Sequence, residues 1–198
     1  MLTSREQREE QILLSLKKLD FLTIDQIQRI HGIASERHAR GVLKKMEHYL
    51  ASFREGKKYY YLNKEGRERI GCEKVRKKTL QAKHFIIRNE IYIAFGQPDT
   101  WKNEIKLGTK NTGHFICDAW FKVENQHYCV EADYTQKMSE NRKKIDRYKK
   151  FRETGVFQKN YGHFPELIWI TTTEYRRQQL KKMCDGLTCE VFTIADFK

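Results

Sequence analysis

Proline is nearly missing from this chain, at 2 of 198 residues, and there are only 11 glycines. No Pro/Gly/Ser-rich stretch occurs, so any two domains must be joined by structured chain rather than a flexible linker. The 5 cysteines are odd in number and form no C-x-x-C pair, which argues against a zinc site. Cys117 and Cys129 sit in apolar, strand-like runs and read as buried thiols. No apolar run approaches the ~18 residues of a membrane span, and the opening MLTSREQREE is too polar for a signal peptide. A cytoplasmic protein without membrane partners is expected. A Gly-rich phosphate loop is missing, the histidines show no metal-ligand spacing, and Ser and Cys show no triad signature. Trp101, Trp120 and Trp169 read as core or strand residues, not as a stacking platform for single-stranded nucleic acid.

What the chain does have is basic charge. The net charge is +13, and it is uneven: residues 1–80 carry 19 Lys/Arg against 11 Asp/Glu, the remainder 20 against 15. Such a balance favours polyanionic partners, nucleic acid first among them. With 39% hydrophobic and 12% aromatic residues, the chain has the material for a core, so disorder is not expected.

In residues 5–18, Ile12, Leu13, Leu14 and Leu16 form an apolar face opposite charge, the pattern of an amphipathic helix. Thr23 with Gln26 predicts a capping box that opens a second helix over about Ile24–Ile30, with Ile24, Ile27 and Ile30 inward. Gly32 fits its stop. Ser35 then caps a third helix expected from Glu36 to about Tyr49. Its core side is Val42, Leu43 and Met46, and its other side shows Arg37, His38, Arg40, Lys44 and Lys45. Such a face either reads DNA, with base edges met early in the helix and phosphates later, or is simply solvated.

The next segment, ASFREGKKYYYLNKEGRERIG, predicts a hairpin with strands Ala51–Arg54 and Lys58–Leu62 joined at Glu55-Gly56-Lys57. Arg54, Lys57 and Lys58 place positive charge at its tip. Tyr59 and Tyr61 alternate with Tyr60, so one face is expected to pack and the other to be exposed. Asn63 caps a short helix over Lys64–Ile70. Three helices followed by a basic hairpin predict a winged helix-turn-helix over residues 1–72, and "YYLNKEGRERIG" resembles the end of many bacterial winged helices. Such a module either binds double-stranded DNA or mediates protein contacts; the basic helix and hairpin favour DNA. The expected DNA-binding residues are Ser35, Arg37, His38, Arg40, Lys44, Lys45, Arg54, Lys57 and Lys58.

Residues 73–82 read as a basic connector, within a stretch to residue 85 that predicts a connecting helix. Residues 83–198 read as a second domain. HFIIRNEIYIAFG predicts a packed helix carrying Glu90. Strands follow in TWKNEIKLG, TGHFICDAWFKVEN and QHYCVEADYT, the last two forming a hairpin at Glu124-Asn125-Gln126. Then come a charged helix (139–154), a buried strand in PELIWITTT, a helix in EYRRQQLKKMCDG and a strand in CEVFTIADF. The fold class is therefore α+β, a winged helix-turn-helix followed by an α/β domain with a mixed sheet.

That element order resembles the PD-(D/E)xK nuclease-like fold. The resemblance implies Asp118, Glu131 and Asp133, with Glu90, as ligands for Mg²⁺, which would activate a water for phosphodiester cleavage. Glu131 and Asp133 lie two apart on a strand and share a face. The nuclease motif carries a lysine where this chain has Asp133, so Lys144 or Lys137 of the following helix would have to supply the charge. Two readings stand: a Mg²⁺-dependent endonuclease or nickase using Asp118, Glu131, Asp133 and Lys144, or a degenerate fold kept for binding, its acids joined with Arg142, Lys144 and Tyr148.

The whole chain resembles the replication-relaxation family of plasmid and mobile-element proteins. The resemblance rests on the N-terminal module, on "CDAWF" (Cys117 to Phe121), "VEADYTQ" (Val130 to Gln136) and "RKKIDRYKKF", in which Asp118, Glu131, Asp133, Thr135, Lys144 and Tyr148 match the family series. It implies a double-stranded DNA-binding accessory or regulatory protein, acting in replication, DNA relaxation and transfer, or transcription control. Replication or transfer proteins are the implied partners. A homodimer is expected, as for most winged-helix proteins, with the charged helix at 139–153 as its interface.

Overall fold

A computed structural model describes residues 3–110 and 113–197. The chain divides into two compact units, Met1–Asn89 and Glu90–Lys198.

The first unit opens with α1 (Ser4–Leu19), capped by a Thr3/Glu6 capping box, with Ile12, Leu13, Leu16 and Leu19 buried. A two-residue strand, β1 (Leu22–Thr23), follows. It was not expected, because two residues carry no periodicity. The Thr23/Gln26 box then starts α2 (Ile24–Ile30). Its inward residues are Ile27 and Gln26, whereas Ile24 and Ile30 are only half-buried. The buried Gln26 amide donates to the Ile86 carbonyl at 2.8 Å.

Ser35 caps α3 (Glu36–Lys45) through the His38 N–H at 3.2 Å. This helix stops four residues earlier than its sequence pattern suggests. The Tyr49 N–H bonds back to the Met46 carbonyl, and Asn63 donates to both the Tyr49 carbonyl (3.1 Å) and the His48 carbonyl (2.9 Å). These bonds commit residues 46–49 to a turn leading into β2 (Leu50–Glu55), which pairs with β3 (Lys57–Leu62) around Gly56. Sheet order is β1-β3-β2, so β3 is central. That corrects the expectation of one packed and one exposed tyrosine face: Tyr59 and Tyr60 are both buried, Tyr60 paired with Leu22 of β1 and covered by the Lys58 ammonium 5.0 Å above its ring.

Asn63 also caps α4 (Lys64–Arg69). Gly66 has no alternative there, since a Cβ would lie 2.2 Å from the Tyr49 carbonyl oxygen. The expected connecting helix does not form. Residues 72–79 have no helical structure, and α5 (Ala82–Ala94) begins after them. Lys74 and Arg76 instead each reach the buried Asp20 at 2.9 Å, a partner more than 50 residues back. Residues of α5 up to Asn89 belong to the first unit, where Phe85 joins Phe21, Tyr59 and Ala82 in an aromatic cluster edged by Phe53 and Tyr61.

The second unit carries a five-stranded sheet in the order β4-β5-β6-β7-β8, built from β4 (Lys102–Thr109), β5 (Gly113–Val123), β6 (Gln126–Asp133), β7 (Glu166–Thr171) and β8 (Cys189–Thr193). The first three form an antiparallel meander, and β6, β7 and β8 run parallel. The parallel strands are linked by α6 (Met138–Glu153) with α7 (Val156–Tyr161), and by α8 (Glu174–Met183). A 3-10 turn, Ile194–Phe197, closes the described chain. Ile145, Tyr148 and Phe151 of α6 and Leu180 of α8 pack on Cys117, Cys129, Leu167, Trp169 and Val191 of the sheet. β7 is buried along nearly its whole length, as a parallel strand covered on both faces should be. Among the described residues, no helix is long and apolar enough to cross a membrane.

Candidate functional site

Two places in the fold gather the residues singled out from the sequence. The first is a cleft of about 650 Å³ in the first unit, between α3 and the β2–β3 hairpin. Arg40 and Lys44 line it from the helix, and Arg54, Lys57 and Lys58 from the hairpin. Leu43, Leu50 and Tyr60 form its apolar floor, and Asp25, Glu36 and Glu47 are its acids. The cations outnumber the acids, and two acids are already engaged, Glu36 by Arg40 at 2.5 Å and Asp25 by Arg29 at 3.1 Å, each one helical turn away. Such exposed pairs contribute little and yield readily to a stronger anion.

Five of the nine residues expected to bind DNA thus share one cleft. Arg37 is exposed on α3, and Ser35 is spent as the α3 cap. His38 and Lys45 lie on the side of α3 that faces α1.

The second place lies in the unit with the large sheet, where β5 and β6 part. Their ladder ends at Ala119 and Val130. Just beyond, an Asp118 carboxylate oxygen accepts the Ala132 N–H at 2.8 Å, substituting for a backbone partner. Cys117 and Trp120, three residues apart, pack into the same core, so β5 loses its alternation at this point. Glu131 is fully buried; it pairs with Lys144 and accepts from the Tyr148 hydroxyl at 2.6 Å. Lys144 also lies 3.8 Å from Asp118. Burial pushes the Glu131 carboxyl up, to about 8, with Asp118 adding to the effect and Lys144 and Tyr148 opposing it. Burial works against the Lys144 ammonium too, but the Glu131 and Asp118 carboxylates outweigh it and hold Lys144 above its ordinary value.

Asp133 belongs to a different network. Its two oxygens take Arg176 at 2.7 and 2.6 Å and the Thr171 hydroxyl at 2.8 Å. Glu131 and Asp133 both turn toward helices, as their spacing of two requires, but one meets α6 and the other α8. Lys144 is the cation that reaches Glu131; Lys137 precedes α6 and is exposed, as is Arg142. Glu90 is buried on α5. Arg176 carried no sequence signal, because it stands 43 residues beyond its partner.

A resident divalent cation needs several carboxylate oxygens converging on one point. Here the Glu131 oxygens serve a lysine and a tyrosine, and those of Asp133 serve an arginine and a threonine. Among the described residues, no group of three or more His, Cys, Asp or Glu is placed to hold a metal ion. The residues of the Glu90, Asp118, Glu131 and Asp133 set therefore do not fit Mg²⁺ as arranged.

Against known proteins, the model of the family described as Replication-relaxation matches residues 13–167, more than half of the chain, a span that includes Asp118, Glu131, Asp133, Lys144 and Tyr148. No curated protein matches.

Proposed function

The chain belongs to the replication-relaxation family, and from that premise we propose that it is a double-stranded DNA-binding accessory or regulatory protein of a plasmid or other mobile element. Its task lies in replication, DNA relaxation and transfer, or transcription control. The observation that carries the reading is the cationic cleft between α3 and the hairpin. We read the first unit as a winged helix-turn-helix, with α3 as the helix that enters the major groove and Arg54, Lys57 and Lys58 as the wing's phosphate contacts.

Arg37→Ala combined with Arg40→Ala is expected to weaken binding to a selected fragment of the mobile element by about 1–3 kcal/mol for each base edge no longer reached. Fluorescence anisotropy at fixed salt measures it. Unchanged affinity would remove the basis of the reading.

The second unit is read as a PD-(D/E)xK-like scaffold that organises rather than cuts. Its support is the engagement of Glu131 by Lys144 and Tyr148, and of Asp133 by Arg176. Supercoiled plasmid incubated with the protein and Mg²⁺ or Mn²⁺ is expected to stay supercoiled. Nicking that disappears in Asp118→Asn would establish a nuclease instead.

A further inference from the structure

The two sides of α3 are not alike, and the side away from the hairpin has a cationic hollow of its own. Positions 38, 42 and 45 recur at helical spacing and form a stripe facing α1. Between that stripe and the first two turns of α1 lies this second concavity, of about 230 Å³. Ser4, Arg5, Arg8 and Glu9 line it from α1, and His38, Val42 and Lys45 from α3. Three permanent cations thus face one carboxylate, and Glu9 is already held by Arg5 at 2.8 Å.

Between the two concavities runs the outward ridge of α3, with Arg37 and Gly41 on it. A glycine inside a helix costs roughly 1 kcal/mol relative to alanine. No neighbour demands it here, since a Cβ at Gly41 would meet nothing within 4 Å. The fold therefore gives no internal reason for a bare backbone at the centre of the exposed ridge. Close approach of an outside partner would.

A helix lying in the major groove has a phosphate strand on each side. One basic concavity beside α3 serves one strand; a duplex supplies two, and α3 is flanked by two basic concavities. We propose that Arg5 and Arg8, with Lys45, form a second backbone-phosphate site, so that α3 is held in the groove between a hairpin-side and an α1-side anchor. This inference rests on the DNA-binding reading and goes beyond it by assigning α1 to the interface.

The test needs no cognate site, because phosphate contacts dominate non-specific binding and each contributes about 0.9 to the slope of log K against log salt. A labelled mixed-sequence duplex of about three helical turns is titrated with the full chain across the salt range in which such slopes are read, from about 50 to about 200 mM KCl. Three variants are compared with the parent: Arg5→Gln/Arg8→Gln, the equally discharged Lys181→Gln/Lys182→Gln on α8, and Arg37→Ala/Arg40→Ala.

Removing two phosphate partners should flatten the slope by about 2, so that the parent loses about tenfold more affinity over this range than Arg5→Gln/Arg8→Gln does. The α8 variant should keep the parental slope, and circular dichroism should show all variants folded. Should Arg5→Gln/Arg8→Gln match the α8 variant while Arg37→Ala/Arg40→Ala weakens binding, the α1 site is wrong and the DNA reading stands. Should neither α1 nor α3 variant alter binding, both fall together.

Discussion

Lys144→Met is expected to destabilise the second unit increasingly above about pH 8, toward about 3–5 kcal/mol, because it leaves a buried carboxylate without its cation. Glu131 is wholly inaccessible, and after the change only the Tyr148 hydroxyl remains from its present side-chain partners. The loss should depend on pH in a definite direction. Burial already pushes the Glu131 carboxyl up to about 8, and removing Lys144 removes its largest opposing influence. A carboxyl raised in the folded state keeps a proton that the unfolded chain, with its Glu near about 4.3, gives up. Stability from that proton is full below about pH 4 and drains away as pH rises through the folded value, by up to about 1.4 kcal/mol per pH unit. Parent and variant both keep that proton up to about pH 8; above it the parent releases its own while the variant's is held, so the variant should lie closest to the parent below about pH 8 and fall behind it as pH rises further.

Tryptophan fluorescence reads this selectively, since Trp101, Trp120 and Trp169 all belong to the second unit. Replacing Glu131, Lys144 and Tyr148 with apolar groups, as Glu131→Leu, Lys144→Met and Tyr148→Phe together, should recover most of the loss, because the fully buried carboxyl is removed with its cation. A loss that does not grow between about pH 7 and about pH 9, or no recovery in the triple variant, would mean that the network does not hold α6 to the sheet as described.

The elements that were legible in the sequence are those whose cause is local. Thr23 and Gln26 close their capping box within three residues, and Ser35 and Asn63 accept the N–H groups of His38 and Gly66 at the same spacing. Glu124 and Asn125 turn β5 into β6 by their own geometry. The elements that were not legible have distant causes. β1 exists only because Leu22 and Thr23 meet Tyr60 and Tyr59. Residues 72–79 of the connector are not helical because Lys74 and Arg76 are drawn to Asp20. The case of α7 is different: Gly155 (φ 66°) and Gly162 (φ 79°) bracket it, and left-handed stops at that spacing were a signal the charged run of α6 masked.

The candidate site divides in the same way. Cations one and two helical turns apart on α3 fall on one face by geometry alone, and the hairpin follows closely enough in sequence to be placed beside them. The acids of the second unit share a sheet face for an equally local reason. Which cation each would meet was decided by α6 and α8, and the pairing of Asp133 with Arg176 turned an apparent ligand set into two separate ion-pair networks.

The first unit has its own buried charge, and Asp20→Ala is expected to cost it about 3–5 kcal/mol. The Asp20 side chain is 1% exposed and so is that of Arg88, 3.3 Å away. Arg88 also donates to the Leu19 carbonyl at 3.1 Å, and Asn89 donates to the Leu19 and Phe21 carbonyls at 3.1 and 2.9 Å. The end of α1 is thereby fastened to the middle of α5. Without Asp20 the buried Arg88 guanidinium loses this carboxylate, and Lys74 and Arg76 lose the anchor of the connector. Burial works against the Asp20 carboxylate, but Arg88, Arg76 and Lys74 outweigh it and hold the group below its ordinary value. A depressed acid contributes stability above the unfolded value, near about 3.9, and loses it as pH falls through the folded one. The effect of Asp20→Ala should accordingly be complete at neutral pH and vanish only in strong acid. Hydrogen exchange is the suitable readout: amides of Ile12 to Leu19 and of the first half of α5 should lose about two to four orders of magnitude of protection. Arg76→Gln, whose partner keeps two other cations, should cost under about 1 kcal/mol. Asp20→Ala combined with Arg88→Met should regain much of the loss. If Arg76→Gln proves as damaging as Asp20→Ala, the connector rather than the buried Asp20–Arg88 pair is what fixes α1 against α5.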